Sequence, residues 1–229
     1  MLYAVHGKGG AGKSTVARYL VHRELERKQA IRAFDADASN GTLTRFYKSH
    51  AERVSDPHPA AMVRWFEEVV WPASETGTVV LDLGSGAERV FTDWAAAVGL
   101  LTVAAEAKVP VILIGVLDPS KDALAPVLSA VTDLPEGRHI AVRNFGRAKP
   151  GEGFEVIDTH PVWPKIVKIA QVIDMPVLAV AAPKVDSLNA SFADAVAGCV
   201  RDGVAQLGPF DRQRVNIWLR AMDAAWEGI

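Results

Sequence analysis

A glycine-rich segment near the start of the chain carries the residues best suited to chemistry. The pattern G-x-x-x-x-G-K-[ST] is matched by Gly7-Lys8-Gly9-Gly10-Ala11-Gly12-Lys13-Ser14-Thr15. Its glycines let backbone N–H groups turn inward around a di- or triphosphate, and a helix that begins near Lys13 adds the positive end of its dipole. We expect Lys13 to reach the β- and γ-phosphates and the Ser14 hydroxyl to ligate Mg²⁺. The alternative, a glycine-rich turn without a ligand, does not require so complete a pattern.

Two later segments place carboxylates where they could act on such a nucleotide. Asp35 and Asp37 follow the second predicted strand, and Asp82 ends an apolar run that continues into Gly84 and Gly86. The carboxyl ends of parallel strands form the edge at which α/β proteins bind ligands. We expect Asp82 to hold Mg²⁺ through water, and Gly84 or Gly86 to let a backbone amide approach the γ-phosphate. A loop cap is the alternative for Asp35 and for Asp37, because aspartate favours such positions.

The apolar runs of the chain predict the sheet that positions these residues. Most runs are continuous rather than alternating, which is typical of strands buried on both faces of a parallel sheet. The predicted strands are residues 2–6, 30–34, 78–81, 109–117, 139–142 and 177–181. Apolar residues at helical spacing over 17–25 predict a helix after the glycine loop. This order predicts a doubly wound α/β fold, with a mainly parallel sheet between two layers of helices.

The length suits one large domain or two small ones, and no repeat or linker divides the chain, so we expect one domain over residues 1–229. Hydrophobic residues make up 49% of the chain, and the formal net charge of -2 gives the whole protein little attraction for nucleic acid or anionic lipid. The longest apolar run, 109–117, is far shorter than the about 20 residues of a membrane span, and no export signal is visible, so we expect a cytoplasmic protein. The single cysteine, Cys199, cannot hold an iron–sulfur cluster within one subunit. Segment 47–77 is the least readable, with a helix predicted over 60–70.

Lys8 adds a second lysine immediately after the first glycine of the loop. Residues 8–14 match the pattern K-G-G-x-G-K-[ST], and here the sequence resembles the deviant Walker A family of ParA and MinD. The segments that begin at Asp35 and Asp82 are similar to the D-x-D and D-x-x-x-G segments of that family, in the same order. The resemblance implies a three-layer P-loop NTPase that binds ATP and Mg²⁺ and hydrolyses ATP slowly, stimulated by a partner.

The resemblance also implies roles for individual residues. Lys8 would cross the interface of an ATP-dependent homodimer and touch the nucleotide of the other subunit, with a solvated loop cation as the alternative. Asp37 would orient the attacking water or accept its proton, and Asp35 would lie nearer Mg²⁺. Asn144 would contact adenine, and Pro183, in a loop after the last predicted strand, would close over the base. The chain shows no N-K-x-D motif at that place, so guanine recognition is not supported.

Partner surfaces are less marked in the sequence. Residues 138–184 carry a net charge of +3 and the remainder -5, and Lys165 and Lys168 form either part of a DNA-backbone patch or an ordinary solvated helix face. An apolar stripe over 215–226 is flanked by balanced charges, so we expect the final helix to pack on the domain or on a partner rather than on a membrane. Chain length and residues 35–43 most resemble the TraL and StbC-type ATPases of conjugative and mobilisable plasmids, which implies DNA or a plasmid-encoded protein as partner.

We interpret the sequence as a nucleotide switch. ATP and Mg²⁺ bind at the glycine loop, two subunits close with Lys8 in trans, and hydrolysis that uses Asp37 and Asp82 reopens them. The expected cargo is plasmid DNA or a plasmid-transfer complex. Two alternatives stay open: a small-molecule kinase or ligase whose acceptor binds near Asp37 and Asp82, and a module that holds ATP without hydrolysing it.

Overall fold

Seven parallel strands form the central sheet of the computed structural model, which describes residues 1–37, 41–84, 86–178 and 180–229. The strands run in the order β3-β2-β4-β1-β5-β6-β7, and every neighbouring pair is parallel. The strands of this sheet are β1 (Leu2–Gly7), β2 (Ile31–Asp35), β3 (Ala51–Arg53), β4 (Thr78–Asp82), β5 (Val111–Leu117), β6 (Arg138–Asn144) and β7 (Ala170–Met175). A separate antiparallel hairpin pairs β8 (Val200–Arg201) with β9 (Val204–Ala205).

Helices cover both faces of the sheet. The helices are α1 (Lys13–Glu26), α2 (Thr42–Phe46), α3 (Pro59–Trp65), α4 (Trp71–Thr76), α5 (Ala87–Ala97), α6 (Leu100–Glu106), α7 (Leu124–Asp133), α8 (Glu155–Asp158), α9 (Trp163–Val167), α10 (Ala181–Ser187), α11 (Phe192–Ala197) and α12 (Pro209–Ala225). One π-helical turn, Phe66–Val70, joins α3 to α4. The predicted three-layer α/β/α architecture is confirmed.

The central strands bury alternate residues in two different cores, as their continuous apolar runs predict. Tyr3 and Val5 of β1 pack in a core with α1, α11 and α12. Leu2 and Ala4 of the same strand pack in a second core with α3 and α5. Because both faces of β1 are buried, the end of this strand, where the glycine loop begins, is held in a fixed position between the two helical layers.

Five of the six predicted strands are confirmed, with ends that differ by one or two residues. The strand predicted over 177–181 is wrong: Val177 lies outside any strand, more than half exposed, and Ala181 begins α10. The edge strand β7 lies just before it and was not predicted. Its Gln171 and Asp174 are exposed, so β7 lacks the continuous apolar run that marks a central strand.

Three helical predictions are confirmed. The helix predicted over 17–25 lies within α1. The helix predicted over 60–70 is formed by α3 and the π-helical turn that follows it. The apolar stripe over 215–226 lies on α12 and at its end, and its five residues are buried in the core that also contains α1. The final helix therefore packs on the domain. No helix in the described part of the chain is both long and apolar enough to cross a membrane.

Candidate nucleotide-binding site

The glycine loop connects β1 to α1 and closes against the end of β6. Gly12 caps the start of α1 with φ +101°, a left-handed conformation that favours glycine. A Cβ on Gly12 would lie 2.2 Å from Nδ2 of Asn144, so any larger residue would displace this side chain. The loop thus leaves its backbone N–H groups at the start of a helix, which is the geometry that binds phosphate.

Lys13 lies across this loop. Its Nζ donates hydrogen bonds to the carbonyl oxygens of Gly7, at 2.9 Å, and Lys8, at 3.1 Å. The side chain also lines a cavity of about 520 Å³ at the carboxyl edge of the sheet. Other residues that line this cavity are Gly9, Gly10, Gly12, Ser14, Thr15, Arg18, Asp37, Thr42, Arg45, Phe46, Asp82, Gly84, Arg147, Asp186 and Ser187. Lys13 is therefore positioned to exchange carbonyl partners for phosphate oxygens.

Asp82 ends β4 at the floor of this cavity and is 1% exposed. Neither of its carboxylate oxygens has a hydrogen-bond partner of good geometry among the described residues. Burial raises the pKa of Asp82 to about 7, while the nearby Ser14 hydroxyl and the charge of Lys13 act in the opposite direction. The buried carboxylate of Asp82 and the hydroxyl group of Ser14 therefore lie side by side at this cavity. Both are oxygen ligands of the kind that Mg²⁺ prefers.

These two side chains could hold Mg²⁺ only together with other oxygen ligands. The described residues contain no cluster of three or more His, Cys, Asp or Glu side chains that could hold a metal by themselves. Magnesium commonly binds through one or two protein ligands plus substrate phosphates and water. Ser14 and Asp82 fit such a site, with the remaining ligands supplied by a nucleotide in the cavity.

Asp37 lies close to Asp82 because their strands are neighbours in the sheet. The backbone N–H of Ala36 donates to the carbonyl oxygen of Asp82 at 2.9 Å, immediately before Asp37 enters the cavity. A Cβ on Gly84 would lie 2.6 Å from both Cα and Cβ of Asp37, so this contact requires glycine. The two carboxylate segments that the sequence singled out are thus brought together at one edge.

Asp35 is fully buried and caps the segment that follows it. Its Oδ1 accepts a hydrogen bond from the N–H of Asp37 at 3.0 Å, and its Oδ2 accepts from Leu43 at 2.8 Å and Thr44 at 3.4 Å. Burial raises the pKa of Asp35, and these three N–H groups lower it. Asp35 is not among the residues that line the cavity. The capping alternative is what its contacts show, and a place nearer Mg²⁺ stays a prediction.

Lys8 is held by its own chain, in the loop after β5. Its Nζ donates to Oγ of Ser120 at 2.9 Å and lies 3.8 Å from Oδ2 of Asp118 and 3.9 Å from Oδ2 of Asp122. The Lys8 side chain is 35% exposed. It is therefore neither a free loop cation nor extended away from the domain, and its predicted role in trans requires these contacts to break.

Asn144 and Pro183 line a second cavity, of about 380 Å³, which adjoins the first. Asn144 is 3% exposed, its Nδ2 donates to the carbonyl oxygen of Ala11 at 2.7 Å, and its Oδ1 accepts from the N–H of Gly146 at 2.9 Å. It thus ties β6 to the glycine loop, a role that the sequence analysis missed. Pro183 lies in α10 and not in a loop after a strand, so that expected context is wrong. Contact with adenine stays a prediction for both.

Gly86 differs from Gly84 in its place. Gly86 caps the start of α5 with φ +89°. The cavity of about 520 Å³ that Lys13 lines is called the phosphate-side cavity below; Gly84 lines it and Gly86 does not. Several cavity residues were not foreseen, among them the arginines Arg18, Arg45 and Arg147. Arg18 lies one turn after the glycine loop on α1, and this spacing is the one sequence signal that could have indicated it.

No family model and no curated protein matches this sequence. Structure comparison finds solved structures of low sequence identity. The septum site-determining protein MinD of Pyrococcus horikoshii, complexed with Mg-ADP, gives a TM-score of 0.54 at 15% identity, over 99% of this chain and 95% of that one. The chain has a MinD-like fold.

Two further structures agree with the MinD-like fold. A nucleotide-binding protein of Archaeoglobus fulgidus, in complex with ADP, gives a TM-score of 0.52 at 20% identity, over 82% of this chain and 86% of that one. The MinC:MinD cell division complex of Aquifex aeolicus gives 0.50 at 11% identity, over 94% of both chains. The fold is therefore that of P-loop nucleotide-binding proteins of the MinD type, and function is argued from the site itself.

Proposed function

We propose that this protein is a ParA/MinD-like ATPase, an ATP-dependent dimerising switch that positions or segregates a cargo. One observation carries the proposal: Lys13, Ser14, Asp37 and Asp82 converge on one cavity at the carboxyl edge of a MinD-like sheet. Each of these residues carries a side chain of a kind that serves phosphoryl transfer. The fold brings the four together from three separate segments of the chain. The presence of Lys8 in the glycine loop favours a dimerising switch over other P-loop proteins.

The chain's own residues would bind and orient the nucleotide. Backbone N–H groups of the glycine loop would surround the β-phosphate, and Lys13 would leave the carbonyl groups of Gly7 and Lys8 to neutralise phosphate charge. The second cavity, between Asn144 and Pro183, would take the base. Ser14 and Asp82 would hold Mg²⁺, which when bound neutralises charge on the β- and γ-phosphates.

Asp37 would act on the attacking water. It lines the cavity, and Gly84 lets its backbone approach the end of β4 closely. A carboxylate at this place would orient the water for in-line attack or accept its proton. Slow hydrolysis suits a switch, because the useful product is the change of state.

Lys8 would report that state to a second subunit. Its contacts with Ser120, Asp118 and Asp122 are partly exposed, and exposed ion pairs contribute about 0–1 kcal/mol each. Rearrangement of the loop around ATP could therefore release Lys8 at small cost. It would then supply positive charge to the nucleotide of the other subunit, as an arginine finger does.

The cargo rests on the sequence resemblance alone. DNA or a plasmid-transfer complex follows from residues 35–43, of which 38–40 lie outside the described residues. Two cations of the basic segment 138–184 are paired within the chain: Arg143 with Asp158 and Asp174, and Lys184 with Asp211. This pairing weakens a DNA-backbone patch there. The MinC:MinD complex, which has this fold, is a precedent for a protein partner.

A small-molecule kinase is the second candidate. Arg45 and Arg147 line the cavity beyond the glycine loop, and two arginines at its rim would also suit an anionic acceptor. A kinase would consume ATP rapidly only with its acceptor and would need no dimer. A module that holds ATP without hydrolysis would release no phosphate.

The first experiment measures the solution mass of the Asp37→Ala variant by light scattering, with Mg²⁺ plus ATP and with Mg²⁺ plus ADP. The substitution should trap the ATP form, so we expect a dimer with ATP and a monomer with ADP. The matched control is Asp158→Ala, an exposed carboxylate on α8 away from both cavities, which should hydrolyse ATP and reopen. A monomer of Asp37→Ala that binds ATP would overturn the dimerising switch.

A further inference from the structure

The two cavities share part of their walls. Thr15, Arg147 and Asp186 each line both the phosphate-side cavity and the cavity beside Asn144. A nucleotide with its phosphates in the first and its base in the second would place its sugar between them, beside these three residues. This inference rests on the proposed function, since it assumes that one nucleotide occupies both cavities.

Asp186 is the only carboxylate among these shared wall residues, and α10 presents it at the junction. Its Oδ1 accepts a hydrogen bond from Nη1 of Arg18 at 2.7 Å. Its side chain is 59% exposed, and among the described residues no group donates to its Oδ2. One oxygen is thus fixed and the other is available to a donor in the junction.

Arg18 fixes the direction of this carboxylate. The guanidinium group lies 3.4 Å from the centre of the Phe46 ring and 5.0 Å from that of Phe192, and the residue is 4% exposed. Its Nη2 also reaches the carbonyl oxygen of Ala190 at 3.4 Å. A buried, stacked arginine has little freedom, so Asp186 is held more firmly than an ordinary surface carboxylate.

The negative charge of Asp186 lies beside a predicted phosphate site and would repel phosphate, so its presence there calls for an explanation. Arg18 and Arg147 nearby offset that repulsion, and Oδ2 of Asp186 remains a strong hydrogen-bond acceptor to which no described residue donates. The hydroxyl groups of a ribose are the donors that a nucleotide would bring to this junction. We infer that Asp186 accepts a hydrogen bond from a ribose hydroxyl of the bound nucleotide and makes the site select ribonucleotides.

The competing explanation is that Asp186 serves only as counterion to Arg18. The two explanations differ in which ligands respond to substitution. A counterion affects every nucleotide equally, whereas a ribose acceptor affects only those that carry the hydroxyl. The test is therefore the ratio of affinities, with ADP, 2′-deoxy-ADP and 3′-deoxy-ADP as the probes, measured by calorimetry in Mg²⁺ so that hydrolysis plays no part.

We expect the wild-type protein to bind ADP about tenfold more tightly than at least one deoxy analogue, because a hydrogen bond to a charged acceptor is lost. Asp186→Ala should lower the affinity for ADP to the level of the affinity for that analogue, and it should leave the affinity for the analogue nearly unchanged. Asp186→Asn keeps an oxygen for Arg18 and should fold as the wild type does, with clearly reduced discrimination. The matched control Asp158→Ala, another aspartate paired with an arginine, should discriminate as the wild type does.

Equal affinities of the wild type for all three ligands would overturn the inference and leave the proposed function intact. Equal weakening of all three by Asp186→Ala, or full discrimination in both Asp186 variants, would also overturn it in favour of a counterion. If the wild type bound none of the three, both the inference and the proposed function would fall. Thermal unfolding of each variant separates loss of the fold from loss of the contact.

Discussion

At the scale of single residues, Asp82 is where the fold and the site make opposite demands. A fully buried carboxylate that receives no hydrogen bond of good geometry from the described residues destabilises the nucleotide-free protein, yet it is also the group that a bound cation would need. Ser14 and Lys13 relieve part of this cost. We expect such a residue to show its role in the pH dependence of stability before any ligand is added.

Between its ordinary value of 3.8 and a folded pKa of about 7, Asp82 keeps a proton in the folded state that the unfolded chain has lost. Unfolding in this window releases a proton, so the free energy of unfolding should fall as the pH rises from about 4 to about 7. The full difference corresponds to on the order of 4 kcal/mol. Asp82→Asn removes this contribution to the pH dependence. The variant should be more stable than the wild type at pH 8 and similar to it at pH 4.

The measurement is urea denaturation of both proteins across this pH range, in chelator and without nucleotide. Other groups titrate in the same range, so the quantity compared is the difference between variant and wild type at each pH. Asp158→Asn, at an exposed carboxylate, should follow the wild type. A constant difference between Asp82→Asn and wild type from pH 4 to pH 8 would contradict the assigned burial cost.

The glycine loop and the carboxylates could be proposed from the sequence because each depends on local chemistry. A complete phosphate-binding pattern and an aspartate at a strand end can be read without knowing what packs against them. Contacts between distant segments could not be read in this way. Asn144 holds the carbonyl of Ala11 across 133 positions, and Arg18 holds Asp186 across 168. Both pairs depend on strand order and on helix placement, which no local pattern specifies.

At the scale of elements, prediction succeeded for strands buried on both faces and failed for the edge. β5 is buried along its whole length, and its apolar run marks it clearly. β7 is partly exposed at the edge of the sheet and was missed, while the exposed apolar residues after it were mistaken for a strand. This error affected the predicted site. Pro183 and Asp186 lie on α10, whereas the strand predicted over 177–181 had put Pro183 in a loop.

The C-terminal end of α12 allows a test of whether this helix contributes to the core. Trp226 is fully buried and lies 5.9 Å, between ring centres, from Tyr19 of α1. Trp226→Ala should lower the free energy of unfolding by about 3–5 kcal/mol, because it removes a large buried side chain and leaves a cavity. Phe210→Ala on the same helix, at a residue 78% exposed, should change it by less than about 0.5 kcal/mol. Urea denaturation gives both values, and a small effect of Trp226→Ala would show that the helix end is not part of the core.

At the scale of the whole molecule, the proposed switch depends on one side chain that has partners in two places. Lys8 contacts Ser120, Asp118 and Asp122 of its own chain, and the dimer requires it to reach the other subunit. These two sets of contacts exclude each other, so nucleotide must shift the balance between them. A side chain that serves only the domain would not affect assembly.

Lys8→Ala, combined with Asp37→Ala to prevent hydrolysis, should remain monomeric with Mg²⁺ and ATP while the Asp37→Ala parent dimerises. Its affinity for ATP should change by less than about fivefold, because exposed ion pairs contribute little to the domain itself. Light scattering gives the mass, and calorimetry gives the affinity in the same buffer. Lys121→Ala, which removes an exposed lysine from the segment between Asp118 and Asp122, is the control and should dimerise. A dimer of the Lys8 variant would show that assembly proceeds without this lysine, and loss of ATP binding would show that Lys8 serves its own subunit's nucleotide.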